Sequence, residues 1–112
     1  MNKLRRHISL LKLLEKNKNK KLCSAIIDAA DNDSITCICE IIKNVIHGNV
    51  RLSEQNKKML SKEKKSLRKL ASRGQLSLKK KRKMLKGGNI LSMLTKFIIP
   101  NVLPALGKLF LP

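Results

Sequence analysis

The feature that most constrains this chain is a basic stretch with apolar residues set into it at helical spacing. Residues 51–86 contain fifteen Lys and Arg residues against two acidic ones. Such a segment forms stable helices only where an apolar partner covers one face. The pattern therefore predicts a folded chain that turns a dense cationic surface toward a polyanion. Between residues 53 and 73, the apolar stripe consists of Met59, Leu60, Leu67, Leu70 and Ala71.

Charge divides the 112 residues, whose net charge is +19, into further parts. Residues 1–50 contain nine basic and five acidic residues, whereas residues 87–112 contain two lysines and no acid. The length allows one small domain. We predict an all-α protein: a small helical domain of three to four helices, then a basic helix and an apolar amphipathic tail. Its parts are a scaffold (1–50), a basic segment (51–86), a diglycine hinge (87–88) and a tail (89–112).

Three helices are predicted within residues 1–50, and the third is expected to be the most buried. Isoleucines recur at spacings of three and four between Ile35 and Ile46, which favours a helix over a strand. Asp33 or Ser34 is the expected N-cap. Gly48 is expected to end this helix in a left-handed conformation.

Two helices are predicted within the basic segment. Ser53 is expected to cap a long helix that reaches about Arg73, and Ser77 a short one over residues 78–86. The short helix is nearly all cationic, so we expect it to fray without an anionic partner.

The cations of the basic segment are the candidate nucleic-acid contacts. Binding would release counterions, and about ten phosphate contacts give a slope of log K against log salt near −9. Such contacts do not read bases; insertion of the long helix into a major groove is a second interpretation. The candidates are Lys57, Lys58, Lys62, Lys64, Lys65, Arg68, Lys69, Arg73, Lys79, Lys80, Lys81, Arg82, Lys83 and Lys86.

Five consecutive cations, Lys79 to Lys83, also resemble a monopartite nuclear-import signal. The plainer interpretation is a solvated charge run without a specific partner.

The tail is apolar but interrupted. Pro100 and Pro104 break it, and Lys96 and Lys108 lie within it, so a membrane-spanning helix of about 20 apolar residues is not expected. We predict two short amphipathic pieces that lie in a membrane interface or in a protein groove. The candidate membrane or capsid contacts are Ile90, Leu91, Met93, Leu94, Phe97, Ile98, Leu106, Leu109 and Phe110.

Metal binding and catalysis are not expected. Cys37 and Cys39 lie two positions apart, about 200° around a helix, so they would not clamp one ion. No nucleophile–base pattern is present, and we predict no enzyme activity, no metal and no cofactor. The odd number of cysteines and the lack of a secretory pattern predict a reducing compartment.

The segment Leu85-Lys86-Gly87-Gly88-Asn89 carries a family resemblance. A large hydrophobic residue, any residue and two glycines resemble the pattern cut by adenovirus-type maturation proteases, here after Gly88. A cationic segment, Gly-Gly and an apolar tail, in that order, resemble the precursor of the adenovirus core peptide mu. The chain is more closely similar to the mu-like small basic core proteins of Maverick/Polinton elements and adintoviruses, over residues 48–53, 67–71 and 77–88 and over the predicted helix at 38–48. The plainer interpretation of the glycines is a flexible joint.

The resemblance implies a virion core protein that binds and condenses double-stranded DNA, in the virion core and the host nucleus. Its implied partners are DNA, the maturation protease and, through the tail, capsid protein or an anionic membrane. The resemblance does not give the role of residues 1–50, which we expect to form a scaffold or a site for self-association or capsid contact. The chain departs from mu in preferring lysine to arginine and in having a helical scaffold. Two alternatives stay open: a membrane-active, lytic entry protein acting through the tail, and a ribosomal or nucleolar RNA-binding protein. The lack of Trp and Tyr removes the platforms on which RNA-reading modules stack bases.

Overall fold

Seven helices and no strand make up the described part of the chain, which confirms the all-α prediction. The structure is a computed structural model that describes residues 2–17 and 19–110, with side chains for 6–17 and 19–104. The first six helices are α1 (Asn2–Lys16), α2 (Lys20–Ala29), α3 (Asn32–Ile46), α4 (Glu54–Ser61), α5 (Lys64–Ala71) and α6 (Leu78–Leu85). The seventh, α7, joins an α-helical segment Gly88–Met93, a π-helical turn Leu94–Ile98 and a second α-helical segment Ile99–Phe110.

A capping residue begins α3, and a glycine follows its end. The Asp31 carboxylate accepts a hydrogen bond of 2.8 Å from the backbone N–H of Ser34, and this bond lowers the pKa of Asp31. The cap is therefore Asp31, and the expectation of Asp33 or Ser34 is wrong, because Asp31 has the extended backbone that an N-cap needs. Gly48 follows the helix with a φ of +77°, as predicted.

The isoleucine stripe of α3 forms the centre of the core. Ile35, Ile38 and Ile42 have at most 1% of their surface exposed. Helices α1, α5 and α6 pack against α3. Burial of an aliphatic side chain of this size contributes about 1.5–3 kcal/mol, so α3 organises the helices around it.

Residues 53–73 of the basic segment form two helices, α4 and α5, where the sequence predicts one long one. Ser53 caps α4 as expected, accepting from the N–H of Asn56. The helix then ends at Ser61, whose hydroxyl donates to the carbonyl of Lys58 at 2.7 Å, and Glu63 leaves the helical region with φ −116° and ψ 28°. Side-chain bonds of this kind compete with helical ones, and the repulsion among closely spaced lysines adds to the break.

The apolar tail is part of the core. Among the side chains that the structure describes, 21 form the buried core, and seven of these belong to the tail: Ile90, Leu91, Met93, Leu94, Ile98, Ile99 and Val102. Its first segment packs on α2 and α6, and its second on α1. The radius of gyration, 13.0 Å, is close to the roughly 13 Å expected of a compact chain of this length. Residues 89–104 are thus not a separate appendage in this structure.

A π-helical turn lets the helix continue through Pro100, where two separate pieces were expected. Proline lacks an N–H and its ring clashes with the carbonyl four residues earlier. The turn Leu94–Ile98 widens the backbone just before this point, and the N–H of Ile99 bonds to the carbonyl of Leu94. The side-chain amide of Asn101 donates to the carbonyl of Phe97 at 2.5 Å.

The burial of the tail predicts a large stability loss from truncating one of its side chains. We expect Leu94→Ala to lower the free energy of unfolding by about 2–5 kcal/mol, because Leu94 has no exposed surface. The control is Leu13→Ala, which removes a side chain that is 47% exposed and should change stability much less. Urea unfolding of both variants makes the comparison; a loss at Leu94 no larger than that at Leu13 would show the tail to be undocked.

Candidate nucleic-acid interface

The fold divides the predicted contact residues into free cations and cations held by the protein. Eight of the fourteen are exposed, and their side chains make no hydrogen bond or ion pair among the described residues. These free cations are Lys58, Lys64, Lys65, Arg68, Lys69, Lys79, Lys80 and Lys83. Of the rest, Lys57 faces Glu54 and Arg73 faces Glu40, each at 3.5 Å, and Lys62 lies 3.9 Å from the sulfur of Met59.

Arg82 is a structural residue within the most cationic run of the sequence. Its guanidinium donates to the carbonyls of Ile27 (2.6 Å), Asp28 (3.4 Å) and Ala30 (2.5 Å), and to the side-chain oxygen of Asn32 (3.0 Å). The carbonyls at a helix C-terminus have no partner within the helix and carry its negative dipole. Arg82 satisfies those of α2 and ties α6 to the α2–α3 junction.

Two further cations of α6 serve the same purpose. The Lys81 ammonium donates to the carbonyl of Ser72 at 2.9 Å, and the Lys86 ammonium lies 2.6 Å from the Asp28 carboxylate. Helix α6 is therefore fixed at Lys81, Arg82 and Lys86, in addition to its Ser77 cap. These contacts explain why it is formed where fraying was expected.

The role of Arg82 predicts a loss of stability upon its neutralisation. We expect Arg82→Gln to lower the free energy of unfolding by about 2–3 kcal/mol, because charge-assisted bonds are lost and partly buried carbonyls lose their donor. Lys83→Gln, an exposed neighbour, should change it by less than about 0.5 kcal/mol. Thermal unfolding compares the stabilities of the two variants. Equal small losses of stability would show that Arg82 has no structural role.

Two clefts beside α5 are lined by cations, and one of them also contains residues from the end of α3. One cleft is lined by Lys62, Lys64, Lys65 and Arg68, with Ser61, Glu63 and Ser66. The other is lined by Lys43, His47, Arg68 and Arg73, with Ile46, Ala71 and Ser72. Arg68 borders both. Lys43 and His47 are not among the predicted contacts, because their proximity to the basic segment arises from the packing of α3 on α5.

The predicted cleavage segment is folded. Leu85 has no exposed surface, and Lys86 is held by Asp28. Gly87 caps the start of α7, and its N–H bonds to the carbonyl of Met84 at 3.0 Å. Gly88 and Asn89 are exposed within the first turn of α7, where the amide of Asn89 donates to Glu63 at 3.3 Å. The diglycine is thus a turn between two packed helices.

The predicted membrane or capsid contacts lie mainly inside the protein. Ile90, Leu91, Met93, Leu94 and Ile98 are buried, and Phe97 is half-buried against the core. The side chains of Leu106, Leu109 and Phe110 fall outside the described residues. Among the described residues, no helix has the length and hydrophobicity needed to cross a membrane.

The cysteines contribute to packing. Cys23 and Cys39 are buried, Cys37 is half-buried, and all three are free. Burial raises the pKa of each thiol, which favours the unreactive protonated form. Within the described residues, no group of His, Cys, Asp and Glu side chains is arranged to hold a metal ion.

Comparison of the chain with protein-family models, with curated proteins and with solved structures found no match.

Proposed function

We propose that this chain is a virion core protein that binds and condenses double-stranded DNA without sequence preference. The observation that supports this proposal best is the set of exposed cations without a protein partner on α4, α5 and α6. A charge of this density that the fold leaves uncompensated attracts phosphate. The described side chains at these positions are mostly lysines, which act as point charges and favour binding without base readout.

The size of the molecule supports condensation as well as binding. Duplex DNA carries one charge per ~1.7 Å of axis, so 19 positive charges balance about 32 Å of duplex. The molecule measures 35 × 31 × 30 Å. Copies placed side by side along a duplex would therefore neutralise nearly all of it, which removes the repulsion that keeps duplexes apart.

The resemblance to mu-like core proteins of Maverick/Polinton elements and adintoviruses supports the viral setting: a virion core, the host nucleus, and cleavage after Gly88 by an adenovirus-type protease. In the same proposal, the scaffold carries the basic segment, and the tail acts separately once it leaves the core. Docking of the tail on capsid protein stays a prediction that requires this release, because the tail's described apolar side chains are mostly buried.

The two alternatives rely on other features of the molecule. A lytic protein would use the tail, and extracting seven buried side chains from the core opposes that use. An RNA-binding protein would use the same cations as a DNA-binding one. The preferred duplex then distinguishes the RNA-binding from the DNA-binding protein, because A-form and B-form helices place their phosphates differently.

The proposal predicts a steep salt dependence of DNA binding. We expect log K for a random-sequence DNA duplex to fall with log salt at a slope near −9, if about ten phosphates are neutralised. Fluorescence anisotropy at five salt concentrations measures this slope, with a duplex of scrambled sequence and a duplex RNA as controls. Equal affinity for both DNA sequences is expected; a flat salt response would contradict DNA binding, and stronger binding to duplex RNA would favour the RNA alternative.

The folded cleavage segment predicts slow processing of the native chain. We expect an adenovirus-type maturation protease to cut after Gly88 faster when the fold is weakened by Leu94→Ala, because Leu85 must leave the core to be bound. Intact-mass analysis over time gives the rate. Gly88→Val is the uncleavable control, since a side chain there meets open space. Equal rates for the native chain and an unfolded peptide of residues 82–92 would show that the fold does not protect the site.

A further inference from the structure

We propose that DNA docks on one face of the molecule, the α5 surface, and that the run Lys79–Lys83 is a secondary contact. The α5 surface consists of Lys43, Lys62, Lys64, Lys65, Arg68, Lys69 and Arg73. This inference rests on the proposed DNA binding and adds to it the location of the phosphate contacts, including a residue of α3. The sequence alone points instead to the five consecutive cations at 79–83.

The first support is how the cations of α5 are distributed around the helix. Lys64 and Lys65, and then Arg68 and Lys69 one turn later, are exposed, whereas Leu67 and Leu70 are buried. Residues four apart lie on one helix face, about 6 Å apart along the axis. Helix α5 therefore presents a ridge of paired cations to solvent. Its four charged ends have no hydrogen bond or ion pair among the described residues.

The second support is the extension of this ridge by the two clefts. Lys62 joins it at the start of α5, and Lys43 and Arg73 join it at the end, with Arg68 lining both clefts. Helix α5 has eight residues and is about 12 Å long. A duplex carries about seven phosphates over that length, counted on both strands, so phosphates are available for each of the four cations on α5.

The third support is the scarcity of competing carboxylates. Glu63 and Glu40 are the acidic residues beside these clefts in the described chain; Glu63 accepts from Asn89 at 3.3 Å, and Glu40 lies 3.5 Å from Arg73. The Glu40–Arg73 pair is exposed, and such pairs contribute little, so Arg73 can exchange this partner for a phosphate. The cations of α1 and α2 belong to a part of the sequence with more acidic residues, since residues 1–50 contain five and residues 51–86 contain two.

The fourth support is the use of α6 cations inside the protein. Lys81, Arg82 and Lys86 bond to a carbonyl of Ser72, to the end of α2 and to Asp28. Moving them to DNA would break contacts that hold α6. The run Lys79–Lys83 thus offers three free cations, Lys79, Lys80 and Lys83, against four on the exposed ridge of α5 alone.

The test compares variants that lose the same charge from different places. Variant A is Lys64/Lys65/Arg68/Lys69→Gln; the matched control, variant B, is Lys12/Lys16/Lys20/Lys21→Gln on α1 and α2. All eight positions are exposed, and glutamine is a good helix former, so both variants should keep the wild-type unfolding temperature. Their net charges are equal. Binding of a random-sequence duplex is measured at five salt concentrations for each.

We expect variant A to reduce the magnitude of the salt slope by about 3.6, because each phosphate contact contributes about 0.9. Variant B should leave the slope close to that of the wild type. Lys79/Lys80/Lys83→Gln should reduce it by less per charge than variant A. A single change, Lys43→Gln, should reduce it by about one contact, about 0.9, whereas Lys12→Gln should not.

Three results would overturn the inference. Equal slopes for variants A and B would show diffuse binding that depends on net charge alone. A larger loss per charge from Lys79/Lys80/Lys83→Gln would place the main contact on α6. Both results leave DNA binding intact. A flat salt response of the wild-type chain would overturn DNA binding itself and this inference with it.

Discussion

The burial of the C-terminal helix against α1, α2 and α6 is the interaction on which the rest of the structure depends. A net charge of +19 within 35 × 31 × 30 Å opposes compaction by self-repulsion. Among the described residues, the first six helices contribute fourteen buried apolar side chains and α7 adds seven, a third of the total. The charged helices α4, α5 and α6 keep fixed positions because their apolar faces meet this enlarged core.

The cations around that core fall into two groups, those that hold helices together and those that are free to bind a ligand. Arg82, Lys81 and Lys86 hold α6 to its neighbours through carbonyls and Asp28. The cations of α5 instead point to solvent without a described partner. A run of cations in a sequence therefore overstates the charge available to a ligand, since helix C-termini also attract such residues. Position in the fold decides which lysines and arginines are free to bind phosphate.

Local sequence patterns predicted much of the fold, and tertiary contacts decided the rest. Ser53, Ser77 and Gly48 act at the predicted helix ends, because caps depend on a few neighbouring residues. The burial of Leu94 and Ile98 could not be predicted, since an amphipathic segment does not reveal what it packs on. The placement of Lys43 and Arg68 in one cleft likewise depends on the packing of α3 on α5.

Amide hydrogen exchange of the full chain tests whether the tail and the scaffold form one unit. If α7 completes the core, the amides of residues 90–99 should exchange as slowly as those of residues 38–45 in α3, because both open only with global unfolding. Fast exchange over residues 90–99, with α3 still protected, would contradict this. It would mean that the tail is detached and that the scaffold stands without it.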